Sequence, residues 1–191
     1  MKKILTILPL VALSSTSFIT LAKSPNWNFI EGSYMSAEIE DTEIEPDGFG
    51  ISGSFLVGEN IILGASYGSI SEEIFNTDVD LNQGSAHLGY RYGATESTDI
   101  FGTVSYQYIE LEAESESFDE NGYGLHAGVR SMLTDSFEVV AQVNYIDIDG
   151  ESETGLGASA YYHFSDNFAI GAGYATADDV DTFTASLRLS F

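Results

Sequence analysis

The chain has no cysteine, three prolines, one tryptophan, and only six lysines and arginines against 30 aspartates and glutamates in 191 residues. Without cysteine there is neither a disulfide framework nor a thiolate metal site, so stability must come from a large core or from lipid. The shortage of cations argues against a nucleic-acid partner, whose phosphates are bound by exchanging counterions for Lys and Arg. Beyond the first two dozen residues no apolar run approaches the roughly 20 residues that a membrane-spanning helix needs. If this chain crosses a bilayer, it must do so as a closed β-barrel, because only there can strand backbones satisfy one another in hydrocarbon.

The first residues have the form of an export signal. Met1-Lys2-Lys3 gives a positive start and residues 4–13 are mostly apolar, broken by Thr6 and Pro9; Ser14-Ser15-Thr16-Ser17 and then Thr20-Leu21-Ala22 follow. This predicts a signal peptide over 1–22, cleaved after Ala22, and a barrel domain over 23–191. Cleavage would remove two of the six cations and no acid, leaving four against 30 and a formal charge of −26.

The rest of the chain alternates. In the last segment Phe183, Ala185, Leu187, Leu189 and Phe191 share one face, while Thr182, Thr184, Ser186, Arg188 and Ser190 share the other. Ten such segments are expected at about 26–39, 48–57, 60–72, 81–92, 99–112, 122–133, 136–148, 154–164, 167–176 and 182–191. One face carries sets such as Phe49/Ile51/Phe55/Val57 and Ala86/Leu88/Tyr90/Tyr92; the other carries Gly50/Ser52/Ser54 and Gly124/His126/Gly128/Arg130. A soluble barrel would hide the first face and show the second. Here the large residues would overfill a small interior, and all three arginines after residue 23 share the register of Gly and Ser. The expectation is therefore an all-β, closed antiparallel transmembrane barrel of ten strands, with eight as the fallback count, in a Gram-negative outer membrane. Tyr90, Tyr92, Phe137, Phe164 and Phe168 would form one aromatic girdle and Tyr67, Tyr106, Tyr108, Tyr145 and Tyr174 the other.

An even strand count returns both ends to the periplasm. Tight connections near 57–60, 93–98, 133–136 and 164–167 then become periplasmic turns, and those near 40–47, 73–80, 113–121, 149–153 and 177–181 face outward. Arg91, Arg130 and Arg188 each lie close to a periplasmic strand end, with Glu31 and Glu138 in the inward phase at that end. A lumen cluster of Arg91, Arg130, Arg188, Glu31 and Glu138 is expected, because a buried charge left unpaired costs several kcal/mol. It would act as a structural plug or, alternatively, as a gate. His87, His126 and His163 also fall in the inward phase.

Of the 30 acids, 23 lie in the outer connections and adjoining strand ends. The bland reading is a solvated, aggregation-resistant rim. The sharper one is loose binding of Ca²⁺ or Mg²⁺ around Asp78, Asp80, Asp147, Asp149, Asp178 and Asp179, bridging the rim to lipopolysaccharide phosphates. The stretch from Asp78 begins like a calcium loop, but Gln83 replaces the required Gly and Gly89 the closing Glu. Gly48-Phe49-Gly50-Ile51-Ser52-Gly53 spells the dinucleotide fingerprint but opens no helix, so no nucleotide site is expected. With its histidines inside the barrel, the chain is not expected to be an enzyme.

These features resemble those of the small outer-membrane barrels grouped with the OmpA/OmpX-like proteins. Asn28-Phe29-Ile30-Glu31-Gly32-Ser33-Tyr34, Asn121-Gly122-Tyr123-Gly124 and Gly128-Val129-Arg130-Ser131 are similar to phrases of a compact proteobacterial family that includes the diffusible-signal-regulated Ax-type proteins. The resemblance implies an integral outer-membrane location and an interface with membrane lipid and lipopolysaccharide. It also implies a closing-strand signal, Phe183, Leu187, Leu189 and Phe191, read by the barrel-assembly machinery. The function expected is structural or surface-interacting, with a plugged polar lumen; a small-solute or cation-selective channel of porin type is the alternative.

Overall fold

The computed structural model describes residues 23–191 except 41, 43, 44, 75, 76, 114 and 115, so the expected signal peptide lies outside the described residues. Ten antiparallel strands close into one barrel: β1 (Phe29–Ile39), β2 (Asp47–Val57), β3 (Ile61–Ile74), β4 (Thr77–Gly93), β5 (Thr98–Ala113), β6 (Glu116–Thr134), β7 (Phe137–Ile148), β8 (Glu151–His163), β9 (Phe168–Ala177) and β10 (Val180–Ser190). Each strand pairs with its sequence neighbour, and β1 closes on β10 from Phe29 opposite Ser190 to Ile39 opposite Val180. Closure removes every sheet edge, which hydrocarbon requires. The β6–β7 ladder shifts register between Met132 and Thr134.

Period-2 alternation sets the two faces. The outer surface carries Phe49, Ile51, Leu88, Tyr90, Leu125, Ile170, Leu187 and other large apolar side chains, all exposed. Phe183, Leu187, Leu189 and Phe191 lie on this surface, and the Phe191 N–H donates to the Asn28 carbonyl at 3.0 Å. Exposed tyrosines and phenylalanines ring both ends, among them Tyr92, Phe164 and Phe168 at one and Tyr67, Tyr106 and Tyr174 at the other. With so little apolar surface hidden from solvent, this outside is stable only against lipid.

Two expectations need correction. The outer connections are shorter than expected, because β3 and β4 remain paired up to Ile74 opposite Thr77, and β5 and β6 up to Ala113 opposite Glu116. On β7–β8 and β9–β10 the links shrink to 149–150 and 178–179, tight turns in which Asp149, Gly150 and Asp178 take positive φ of 51°, 87° and 46°. Asp and Gly tolerate this left-handed conformation better than other residues. Charge-rich stretches that looked like loops are thus strand.

Second, the inward face is not small or polar throughout. Near the periplasmic end Trp27, Ile62 and Phe101 form a buried cluster joined by Leu56 and Val140. Toward the outer end the apolar phase inverts within single strands. On β5 the apolar side chains point outward at Ile100, Val104 and Tyr106, but inward at Ile109 and Leu111 with Glu110 and Glu112 outside. On β7 the outward Val143 and Tyr145 give way to inward Ile146 and Ile148 with Asp147 outside; β1, β3, β4 and β10 do the same with Met35, Ile70, Leu81 and Val180. Where the wall leaves lipid it takes up the pattern of a water-soluble barrel.

Candidate functional site

The six residues before β1 turn under the periplasmic end and insert Trp27, which is 7% exposed, into the lumen. The indole N–H donates to Asp99 Oδ2 at 2.7 Å, and the ring meets Phe101 edge-on with centroids 5.3 Å apart. Arg130, near the end of β6, places its guanidinium 4.8 Å above the Trp27 ring and donates through Nε and Nη2 to both oxygens of Glu138, at 2.8 and 3.2 Å. Arg188, near the end of β10, donates through Nη1 to Glu138 at 3.0 Å and through Nε to Glu31 at 2.7 Å. Its guanidinium lies 3.7 Å from the Tyr161 ring centre and 4.1 Å from that of Phe29. His163 Nε2 faces Glu138 Oε2 at 3.2 Å, and Tyr161 donates its hydroxyl hydrogen to Glu31 at 3.3 Å.

Four of the five expected cluster residues, Glu31, Arg130, Glu138 and Arg188, are therefore in direct contact. Arg91 is not. It donates through Nη1 to Asp99 at 2.8 Å and to Ser24 Oγ at 3.2 Å, and through Nε to the Glu59 carbonyl at 2.8 Å. Its partner Asp99 stands opposite Arg130 in the β5–β6 ladder and accepts from Trp27, over which Arg130 lies, so the Arg91–Asp99 pair borders the cluster without sharing its carboxylates. Together these groups form a cross-section of alternating charge in which Glu138 is fully buried and Asp99, Arg130 and Arg188 nearly so. Every carboxylate in it has a cationic partner, which is the condition for holding ions away from water.

The three histidines separate. His163 belongs to the plug. His87 lies across Gly64, where a Cβ would collide with its ring, and so requires glycine on the neighbouring strand. His126 sits at mid-height in a relay across β5, β6 and β7. Gln107 donates to Ser105 Oγ at 2.7 Å, Ser105 Oγ meets His126 Nε2 at 2.9 Å, and His126 Nδ1 meets Asn144 Oδ1 at 2.8 Å. Asn144 also accepts from Gln142 at 3.0 Å. With Asn144 accepting, the proton sits on His126 Nδ1 and Ser105 donates to the bare Nε2. The order Ser–His–Asn is that of a nucleophile–base relay. However, Ser105 is 3% exposed on a strand paired on both sides, so the amides around it are committed to the ladder rather than available to an oxyanion.

Above the plug lies a chamber of about 490 Å³ of mixed polar and apolar lining, reaching Ser159, His126 and Gln142, and above that a second of about 470 Å³; Ser66, Ser85 and Gln107 border both. At the outer rim, Asp147 accepts from Tyr145 at 3.4 Å, Asp149 and Asp178 occupy turns, the Asp179 carbonyl accepts from the Glu40 N–H, and Asp80 lies on β4 opposite Ser71 and Glu112. The side chain of Asp78 lies outside the described residues. Among the described residues no three acidic or histidine side chains converge as a metal cage.

Residues 6–152 match the outer membrane protein beta-barrel domain family. The chain belongs to that family, and it is an outer-membrane protein. No curated protein sequence matches it. Among solved structures it is similar to the KdgM porin, at 10% identity and a TM-score of 0.49 over 84% of this chain and 99% of the porin. It is also similar to OprG from Pseudomonas aeruginosa, at 12% identity and 0.48 over 90% and 98%, and to the Neisserial surface protein NspA, at 13% and 0.45 over 86% and 96%.

Four residues of the plug were not picked out from the sequence. Asp99 opens β5 in the inward phase, so its register was available as a signal. Tyr161 shares the phase of Gly157 and Ser159, where it is the one large ring, and Phe29 shares that of Glu31. Trp27 precedes the strand, and no periodicity marks it.

Proposed function

We propose that the protein is a plugged outer-membrane barrel with a structural and surface-interacting role, rather than an open pore or an enzyme. The observation that carries this reading is Glu138, fully buried at the centre of the plug and held by Arg130, Arg188 and His163. A ten-stranded barrel is little wider than the eight-stranded kind whose interior side chains just fill. The plug supplies the larger fillers that this width needs: two guanidiniums sandwiched among Trp27, Phe29 and Tyr161. Passage of ions would require Arg188 to leave two carboxylates at once.

On the outer side the protein presents its acid-rich rim to the lipopolysaccharide layer, where divalent cations shared with lipid phosphates would screen it diffusely. The exposed apolar face of the closing strand, Phe183, Leu187 and Leu189, fits recognition by the barrel-assembly machinery. Planar-bilayer recording tests the closed state. The expected result is a silent membrane with folded barrel inserted; steady cation-selective openings would favour the channel reading and recast the plug as a gate.

A further inference from the structure

The outer chamber is built differently from the lumen beneath it. Its floor is neutral and polar, made by Ser66, Ser85, Gln107 and Asn144, while its wall is aliphatic, with Met35, Ile70, Leu81, Ile146 and Val180 turned inward. The terminal methyl of Met35 rests on β2 and β3 where Gly50 and Gly68 leave room; a Cβ at those glycines would lie 3.3 and 3.0 Å from it. Met35, Ile70, Leu81 and Ile146 are half-buried and Val180 is exposed, so apolar surface remains on a cavity of about 470 Å³. Higher on the same inward phase, Leu111 and Phe118 face each other across β5 and β6 and are 40% and 64% exposed. Apolar surface of this extent in a wet lumen is unfavourable unless something covers it. The phase inversion explains its origin: above the bilayer the wall follows soluble-barrel rules, and a soluble barrel of this width that side chains do not fill holds a small ligand.

The chemistry of the occupant follows from the three zones. The floor offers hydroxyl and amide groups and no formal charge, which suits an uncharged polar head. The wall suits an apolar body, and the volume is within the about 300–1,000 Å³ typical of small-molecule sites. The mouth is acidic, with Glu153 on the cavity wall and Glu72, Glu120 and Glu151 in the same inward phase, which disfavours anions. We propose that the outer half of the lumen binds a small uncharged amphiphile, its hydroxyl- or amide-bearing head on the Ser66/Ser85/Gln107/Asn144 floor and its apolar body against the aliphatic wall. The site rests on the plug reading only for its closed lower end.

The test uses protein purified from outer membranes and placed in lipid nanodiscs, with the uncharged fluorophore N-phenyl-1-naphthylamine as probe and empty nanodiscs as the background. Saturable binding is expected, at least tenfold weaker in Leu81→Gln and Ile146→Gln and unchanged in the lipid-facing Leu88→Gln. The sulfonated relative 8-anilino-1-naphthalenesulfonate is expected to bind at least tenfold more weakly than the uncharged probe. In the unaltered protein, decanamide should displace the probe and decanoate should not, an arm that does not depend on any variant folding. Signal no greater than that of empty nanodiscs, indifference to both wall substitutions, or equal displacement by amide and carboxylate would overturn the proposal. Conductance recorded on the same material separates the two readings: a conducting barrel that binds the probe would retire the plug alone, and a silent barrel that does not bind it would retire the site alone.

Discussion

The two halves of one lumen are lined by the same strands, yet they solve opposite problems. Toward the periplasm β1, β6, β7 and β10 contribute Glu31, Arg130, Glu138 and Arg188, which fill the cross-section and pair almost without exposure. Toward the outside β1, β7 and β10 contribute Met35, Ile146 and Val180, which line space rather than fill it. Inward register therefore does not decide chemistry; depth along the strand does. Low in the lumen the inward phase carries the buried ion pairs, and higher up Met35, Ile70, Leu81, Ile146 and Val180 turn inward beneath the acids of the mouth.

This contrast breaks most sharply at Glu138. Glu138→Ala would leave Arg130 and Arg188 buried without their shared carboxylate and is expected to destabilise the barrel by about 3–5 kcal/mol, read from urea unfolding of the refolded protein. Arg188→Ser should cost less, about 2–3 kcal/mol, because Glu138 keeps Arg130 and His163 while Glu31 keeps Tyr161. Arg91→Ser, at a side chain 19% exposed whose partner Asp99 retains the Trp27 N–H, should cost about 1–2 kcal/mol, measured the same way. That ordering tests the division of the expected five-residue cluster into four residues and a satellite pair. Unchanged unfolding midpoints for both arginine variants would dissolve the network.

In the outer half, Ile146→Ser is expected to cost under about 1 kcal/mol in the same assay, because its side chain is only partly buried. A cost as large as that of Arg188→Ser would mean that the wall is packed core and not cavity lining. The smallest effect is expected at the exposed periplasmic pair of Lys23 with Asp166, 2.7 Å apart. The Lys23 ammonium holds the Asp166 carboxyl below its ordinary value, so any stabilisation is present at neutral pH and lost as the pH falls through the carboxylate range. Asp166→Asn should erase that small acid sensitivity without shifting the neutral-pH melting temperature measurably.

Much of this architecture was legible because lipid enforces a strict period of two. The ten strands, the outward aromatics and the meeting of Glu31 with Arg188 all follow from register and strand direction. The misplaced Arg91 has a local cause: Asp99, on the strand paired with β4, takes its guanidinium, and equal depth alone does not choose between acidic partners. Trp27 enters from a segment with no period, so no pattern announced the group that joins Arg130 to Asp99. The outer hairpins were hidden because acids at Glu110, Glu112 and Asp119 resemble a loop, although alternation continues there with its apolar phase reversed. A reversal reads as a break in pattern unless lipid and water are allowed to exchange places along one strand.

The central claim, a lumen closed below and open above, is tested most directly at Ser85, which borders both chambers. Because the chain has no cysteine, Ser85→Cys introduces a single thiol that a small cationic methanethiosulfonate can be offered from one side of the membrane at a time. Rapid modification from the outer side with none from the periplasmic side is the predicted result. Equal modification from the periplasmic side would contradict the account, since reagent would then have passed Arg188 and Glu138.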